Sequence, residues 1–208
     1  MSRVNIGVLI SGGGTNLQAL IEHIKTGDIN GDIKLIISNR KDAYGLERGK
    51  AAGIESIYIN PKDFTTMEDF NLKLIEEFKK RNITLVVLAG YLKVLSKEFI
   101  KSFDSIINIH PSLIPSFCGK GYYGDNVHKE VLKYGAKFTG ATVHFVDEGT
   151  DTGPIILQEV VPVDKNDTVE TLQSKVLDVE HKLIVKAVKL YCDDKIKLDG
   201  RLVFIDEE

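Results

Sequence analysis

Asn108 and His110 stand two residues apart at the end of an apolar run, Ile106-Ile107-Asn108-Ile109-His110, which Pro111 and Pro115 then interrupt. On a strand, residues two apart point to the same side. An asparagine amide donates to a developing oxyanion, and histidine is the side chain suited to moving a proton near neutral pH. Pro111 has no N–H, so the ladder ends there. The pair then falls at a strand's C-terminal mouth, where open α/β sheets bind ligands. The plainer alternative is a strand end carrying two satisfied polar residues.

Three other segments hold polar groups in useful patterns. Ser11-Gly12-Gly13-Gly14-Thr15-Asn16 lies between a strand pattern and a helix pattern. Glycines let the backbone approach a ligand, and a helix N-terminus offers free N–H groups and a positive dipole end, so a phosphate is the natural guest. It matches neither G-x-G-x-x-G nor the Walker pattern. A tight βα turn capped by Thr15 or Asn16 is the alternative. Asp147, Glu148 and Asp151 share a Gly-containing loop before Pro154. A carboxylate from it, set beside His110, would stabilise the imidazolium and raise its pKa; otherwise the loop is a solvated acidic connection. Glu180, inside the last long helix, can bind a hydroxyl or ammonium if that helix lies beside the sheet's mouth, or it is a surface carboxylate.

The remaining histidines carry less. His144 reads as a satisfied core or near-site residue, and His23 and His128 as helix-surface residues. No HExxH spacing occurs and no cysteine joins a histidine cluster, so no metal is expected. Cys118 permits a Cys/His nucleophile, but nothing else marks a thiolate site.

These groups need a scaffold, and the hydrophobic pattern supplies one. Strand patterns cover 4–10, 33–37, 56–59, 84–88 and 105–109. Helix patterns cover a segment from Leu17 to Gly27, then 45–52, 67–80 and 97–101. Such alternation predicts an α/β fold, a doubly wound, mostly parallel sheet. After residue 110 come a Gly- and Tyr-bearing loop at 116–125, a helix at 126–134, and strands at 139–146 and 155–163 that read as antiparallel partners. A long helix at 168–191 follows, capped by Asp167 or Thr168. A C-terminal hairpin turning at Asp199-Gly200 completes an antiparallel extension.

With 208 residues and a 43% hydrophobic fraction, one large domain with a substantial core is expected. A net charge of −3 and a pI of about 6.0 argue against a nucleic-acid partner, which needs a basic stripe. The N-terminus shows no signal-peptide pattern and the chain no apolar run of membrane-spanning length, so no membrane partner is expected. Two cysteines without CxxC spacing suit a reducing, cytoplasmic setting.

The segment 11–19 resembles the opening motif of the phosphoribosylglycinamide formyltransferases. Asn108-Ile109-His110-Pro111-Ser112-Leu113-Ile114-Pro115 resembles the signature of folate-dependent formyltransferases, and Asp151-Thr152-Gly153-Pro154 the segment holding their catalytic aspartate. Residues 38–40, 43–48 and 86–92 are also similar, so the likeness spans nearly the whole chain. The resemblance implies a Rossmann-like formyltransferase domain over 1–208, with a nucleotide-binding half at 1–110 and a folate-binding and catalytic half at 111–208. It implies formyl transfer from 10-formyltetrahydrofolate, a co-substrate, to glycinamide ribonucleotide in purine biosynthesis, by a monomer or a homodimer. Asn108 would bind the oxyanion and His110 would donate the proton or stabilise the intermediate as imidazolium. Asp151, chosen over Asp147 for its place before Gly-Pro, would raise the pKa of His110 and position a water. Gly13, Gly14, Thr15, Asn16 and Leu17 would hold the ribose phosphate, and Glu180 the ribose hydroxyls. Met67, Leu92, Lys93, Val94, Leu95 and Asn108 would form the folate site.

Two departures from the family stand out. Met67 replaces a frequent arginine at the folate's outer end, so that charge contact is lost or comes from elsewhere, with Lys62 as a candidate. The loop from Phe117 to Asn126 is longer than in some members and suggests a mobile lid. Among rivals, methionyl-tRNA formyltransferase carries a further RNA-binding domain, and formyltetrahydrofolate hydrolase typically an N-terminal regulatory one. A non-catalytic binding module on the same fold is the rival from another class.

Overall fold

The computed structural model describes residues 3–206. Val4–Ile10 forms β1, in which Ile6, Val8, Leu9 and Ile10 are inaccessible to solvent. Burial of successive residues means both faces are covered, as in a central parallel strand. β1 pairs in parallel with β2 (Gly31–Ser38) and β4 (Leu85–Leu88), and β2 with β3 (Ser56–Tyr58). With β5 (Ser105–His110), β6 (Phe138–Phe145) and β7 (Ile155–Pro162) they form one seven-stranded sheet in the order β3-β2-β1-β4-β5-β6-β7. β6 and β7 are antiparallel, and β8 (Ile196–Asp199) and β9 (Leu202–Ile205) make a separate hairpin. This is the expected mostly parallel α/β sheet with an antiparallel C-terminal extension.

The chain divides into two compact units, Met1–Ile107 and Asn108–Glu208. In the first, α1 (Thr15–Lys25), α2 (Tyr44–Ala51), α3 (Met67–Lys79) and α4 (Lys97–Lys101) accompany the strands. A side chain at Gly7 would strike the ring of Phe78, which packs edge-on to Phe103 and Phe99. The missing Cβ therefore lets α3 lie against β1. In the second unit, α6 (Val169–Cys192) packs on β6, β7 and α5 (Asp125–Tyr134) through a buried stripe that includes Leu172, Val176, Val179 and Leu183. Thr168 and Thr171 cap α6 reciprocally, so Thr168 is the cap residue.

Two local expectations change. Neither Thr15 nor Asn16 caps α1. Gly14 does so, at φ 69°, because that left-handed turn is open to glycine and a Cβ there would come within 2.7 Å of the Gly45 Cα. The terminal hairpin turns on Gly200-Arg201, since Asp199 still pairs with Leu202. Gly200, at φ 58°, takes the first loop position, where a type II′ turn demands positive φ.

Candidate active site

The end of β5 meets β6 residue His144 and the 147–153 loop inside the second unit. Asn108 Nδ2 lies 3.1 Å from His144 Nε2. His110 Nδ1 is 3.6 Å from Asp151 Oδ2, and His144 Nε2 is 3.7 Å from Asp151 Oδ1. His110 and His144 are both buried. Four polar side chains thus converge, three of them from motifs visible in the sequence. The fourth is His144, read from the sequence as a core or near-site residue, which is both buried and beside Asn108 and Asp151.

Backbone from two loops completes the cluster. His110 Nε2 donates to the Phe117 carbonyl at 2.9 Å, and Gly119 N–H donates to Asp151 Oδ2 at 2.9 Å. The 112–119 turn is pinned to the sheet. Thr142 Oγ1 donates to Ser112 O and accepts from Ile114 N–H, while Gln158 donates to Ile114 O. Ile114-Pro115 is cis. Asp147, the carboxylate not chosen, serves its own loop and accepts from Gly149 N–H and Thr152 Oγ1. It helps hold the loop in which Asp151 adopts φ 57°. Gly153 is required there, because a Cβ would strike the Phe145 carbonyl.

The electrostatics of His110 are a contest. Burial drives its pKa down, and His144 adds to that. The Asp151 charge and the Phe117 carbonyl pull upward without prevailing, so His110 titrates below its ordinary range. The expected upward pull of Asp151 is present, and the net direction is set by burial. A neutral ring has one N–H and here two acceptors beside it, Phe117 O and Asp151 Oδ2. Only the imidazolium can donate to both. Asp151 itself is pushed up by burial, but the neighbouring His110 and the Gly119 N–H help to hold it below the usual carboxylate range. Burial and the Asp151 charge raise the Cys118 thiol, whose hydrogen bond goes to Pro115 O, so a thiolate nucleophile is disfavoured.

In the first unit the glycine loop forms a second polar centre. Gly12 O accepts from Gly45 N–H, and Gly13 O accepts from Arg48 Nε at 2.8 Å. Among the described residues no protein acceptor takes the N–H of Gly13, Gly14 or Thr15. The carbonyls are thus drawn back and the amides left open at the head of α1, an arrangement suited to an anion. No atom lies within 4 Å of where a Cβ on Gly12 or Gly13 would stand. Ser11, fully buried, donates to Asn39 Oδ1 at 2.6 Å and accepts from Leu92 N–H at 2.9 Å. It ties together the chain segments that follow β1, β2 and β4.

The other anticipated residues fall as follows. Asn16 is buried in the first turn of α1. Leu17 is wholly buried, so its side chain belongs to the core and only its backbone is available to a ligand. Leu92 and Val94 are exposed apolar residues and Lys93 is exposed, whereas Leu95 is buried and also offers backbone alone. Met67 opens α3 and is 41% exposed, and Lys62 is exposed in the short 3-10 turn before it. Glu180 is half-buried on α6. His23 is exposed and pairs with Asp28, as a surface histidine would. His128 is not on the surface. It is buried with Val127 and Val131 on the inner face of α5, and its Nδ1 has no partner. Among the described residues no group of three or more His, Cys, Asp or Glu is placed to hold a metal ion, and no helix is long and apolar enough to cross a membrane.

Residues 4–188 match the family described as formyl transferase. The chain is 42% identical over 200 residues to the chloroplastic phosphoribosylglycinamide formyltransferase of Vigna unguiculata, which covers 93% of this chain and 62% of that protein. It is 36% identical over 204 residues to the phosphoribosylglycinamide formyltransferase of Escherichia coli strain K12, covering 98% and 94% of the two. Glycinamide ribonucleotide transformylase 1 from Symbiobacterium toebii superposes with a TM-score of 0.93 at 40% identity, covering 98% of this chain and 94% of that one. The chain therefore spans less than two thirds of the Vigna protein and nearly all of the two bacterial ones. The matched span takes in the glycine loop, the turn after β5 and the Asp151 loop together, and so this chain belongs to the formyl transferase family.

Proposed function

We propose that this chain transfers the formyl group of 10-formyltetrahydrofolate to the amine of glycinamide ribonucleotide, giving formylglycinamide ribonucleotide and tetrahydrofolate in purine biosynthesis. The observation that carries the reading is the convergence of the half-buried Asn108 and Asp151 on the buried His144 and His110, with Phe117 O and Gly119 N–H set against His110 and Asp151. A binding module has no use for a buried imidazole poised between two acceptors.

The substrate amine attacks the formyl carbon, and the carbonyl oxygen becomes an oxyanion. Asn108 donates a hydrogen bond to it. The new ammonium must lose a proton and N10 of the folate must gain one before the C–N10 bond breaks. His110, neutral at rest, takes that proton. The resulting imidazolium satisfies both Phe117 O and Asp151, and it then protonates N10 as tetrahydrofolate leaves. The burial that keeps His110 neutral at rest is offset once an oxyanion stands beside it. Asp151 also positions a water in the proton path.

Gly13, Gly14, Thr15, Asn16 and the Leu17 N–H hold the ribose phosphate, supported by the open amides of the loop. Glu180 takes the ribose hydroxyls. Leu92, Lys93, Val94 and Leu95 bind the pterin, by exposed apolar surface at Leu92 and Val94 and by backbone groups elsewhere. Met67 and Asn108 complete the folate site. The partners are small molecules, and the setting is cytoplasmic. The 117–126 loop acts as a lid, a role its glycines and tyrosines suit beyond the Phe117 and Gly119 contacts to His110 and Asp151.

The test is tetrahydrofolate formation, followed by absorbance, from 10-formyltetrahydrofolate with and without glycinamide ribonucleotide. Turnover that requires the ribonucleotide is the expected result. Equal turnover without it identifies a hydrolase, and none in either case a binding module or another acceptor.

A further inference from the structure

His144 is almost entirely enclosed, with a side chain 3% exposed, and its ring is fixed at both nitrogens. Nδ1 lies 2.7 Å from the Phe145 carbonyl. A carbonyl oxygen only accepts, so Nδ1 carries the hydrogen. In the neutral ring Nε2 is then a bare lone pair. The group 3.1 Å away on Asn108 must be a donor, and that is its amide nitrogen. A primary amide has two N–H bonds. One is spent on His144, and the other stays available on the same end of the side chain. That end lies toward the acidic loop, since the same Nε2 is 3.7 Å from Asp151 Oδ1.

The alternative amide orientation would put Asn108 Oδ1 against a lone pair and turn its oxygen toward the place where negative charge develops. Both contacts are repulsive. We propose that His144 is a positioning residue: its bare Nε2 selects the orientation of Asn108 that offers an N–H, not an oxygen, to the oxyanion. The idea rests on the formyl-transfer reading above. It gives a role to a buried imidazole which that reading leaves unused.

The experiment compares the full-length wild type with His144→Phe, His144→Gln, Asn108→Ala and the His144→Phe/Asn108→Ala pair. Phenylalanine keeps the ring but has no acceptor, while the glutamine Oε1 restores one near the Nε2 position. His144→Phe should lower kcat about 100-fold, as a misplaced donor does, with the glycinamide ribonucleotide KM held within about threefold. His144→Gln should recover at least about tenfold of that loss. In the Asn108→Ala background, His144→Phe should cost no more than about threefold, because the group it acts through is gone. Losses that multiply in the double variant, or a fully active His144→Phe, overturn the proposal.

Nitrogen-15 spectra of the wild-type imidazoles supply a readout independent of turnover and of variant folding. A protonated Nδ1 with a bare Nε2 at neutral pH is expected, and an Nε2–H tautomer or an imidazolium overturns the assignment. If the wild type transfers no formyl group, the functional reading fails. The tautomer then still decides whether His144 orients Asn108.

Discussion

The Ser11–Asn16 loop is made of backbone. Its carbonyls are tied to Gly45 N–H and Arg48, and its amides are left open. The Asn108, His110, His144 and Asp151 cluster is made of side chains, two buried histidines linked to a half-buried amide and a half-buried carboxylate. The first centre offers the fixed partial charges of backbone groups. The second holds a proton balance that burial and charge pull in opposite directions. A phosphate needs the former and a proton transfer needs the latter. Substitutions at the two centres should therefore fail in different ways.

The largest separation is expected at the side chains. His110→Ala and Asp151→Asn should each lower kcat by about 10³-fold, within the usual range for a lost proton-transfer group, with little change in ribonucleotide affinity. Steady-state kinetics with calorimetric binding checks this, and retained turnover in both variants would remove their catalytic roles. In Asp151→Asn the pKa of His110, followed by NMR, should fall further still, since the strongest upward pull on it is gone. A rise would reverse the electrostatic account.

Within the glycine loop the same substitution should give two outcomes. Gly14→Ala places a Cβ against the Gly45 backbone at positive φ, at a cost of about 1–3 kcal/mol, and should lower the Tm. Gly13→Ala meets no atom, so the Tm should hold while the ribonucleotide KM rises. Equal Tm losses at both positions would mean that the loop is only a tight turn. Ser11→Ala is intermediate. It leaves the Leu92 N–H without its partner, costs about 1–3 kcal/mol, and should raise the folate KM more than the ribonucleotide KM.

The smallest effect is on acid stability. Burial holds both His110 and His128 below the ordinary value of 6.5. The unfolded chain then binds protons that the folded chain does not. Their contribution is complete above the ordinary value and declines as pH falls below it. The depressed Asp151 carboxyl adds a further loss only at lower pH, as the folded carboxylate protonates. The urea midpoint should thus drop between about pH 7 and about pH 5.5. The drop should shrink in His128→Phe, whose ring gives up no Nδ1 bond. A midpoint that rises on acidification would reverse the sign.

Much of this was legible in the chain because period and punctuation are local. The run into Asn108 and His110 and the stop at Pro111 mark β5 and its polar end. The glycines mark the turn into α1. What escaped was tertiary. His128 looks like any polar residue of a short helix until Val127 and Val131 are seen buried beside it. Leu17 sits in a binding motif by sequence but in the core by packing. Phe117 O and Gly119 N–H are backbone groups and bear no mark of residue type. The net direction at His110 required the size of its burial, which no motif records.

The separation of the two centres is tested most directly by calorimetric titration of glycinamide ribonucleotide into Gly13→Ala and His110→Ala beside the wild type. The account predicts an affinity at least about tenfold weaker for Gly13→Ala and within about threefold of wild type for His110→Ala. Unchanged binding in Gly13→Ala with lost binding in His110→Ala would contradict it.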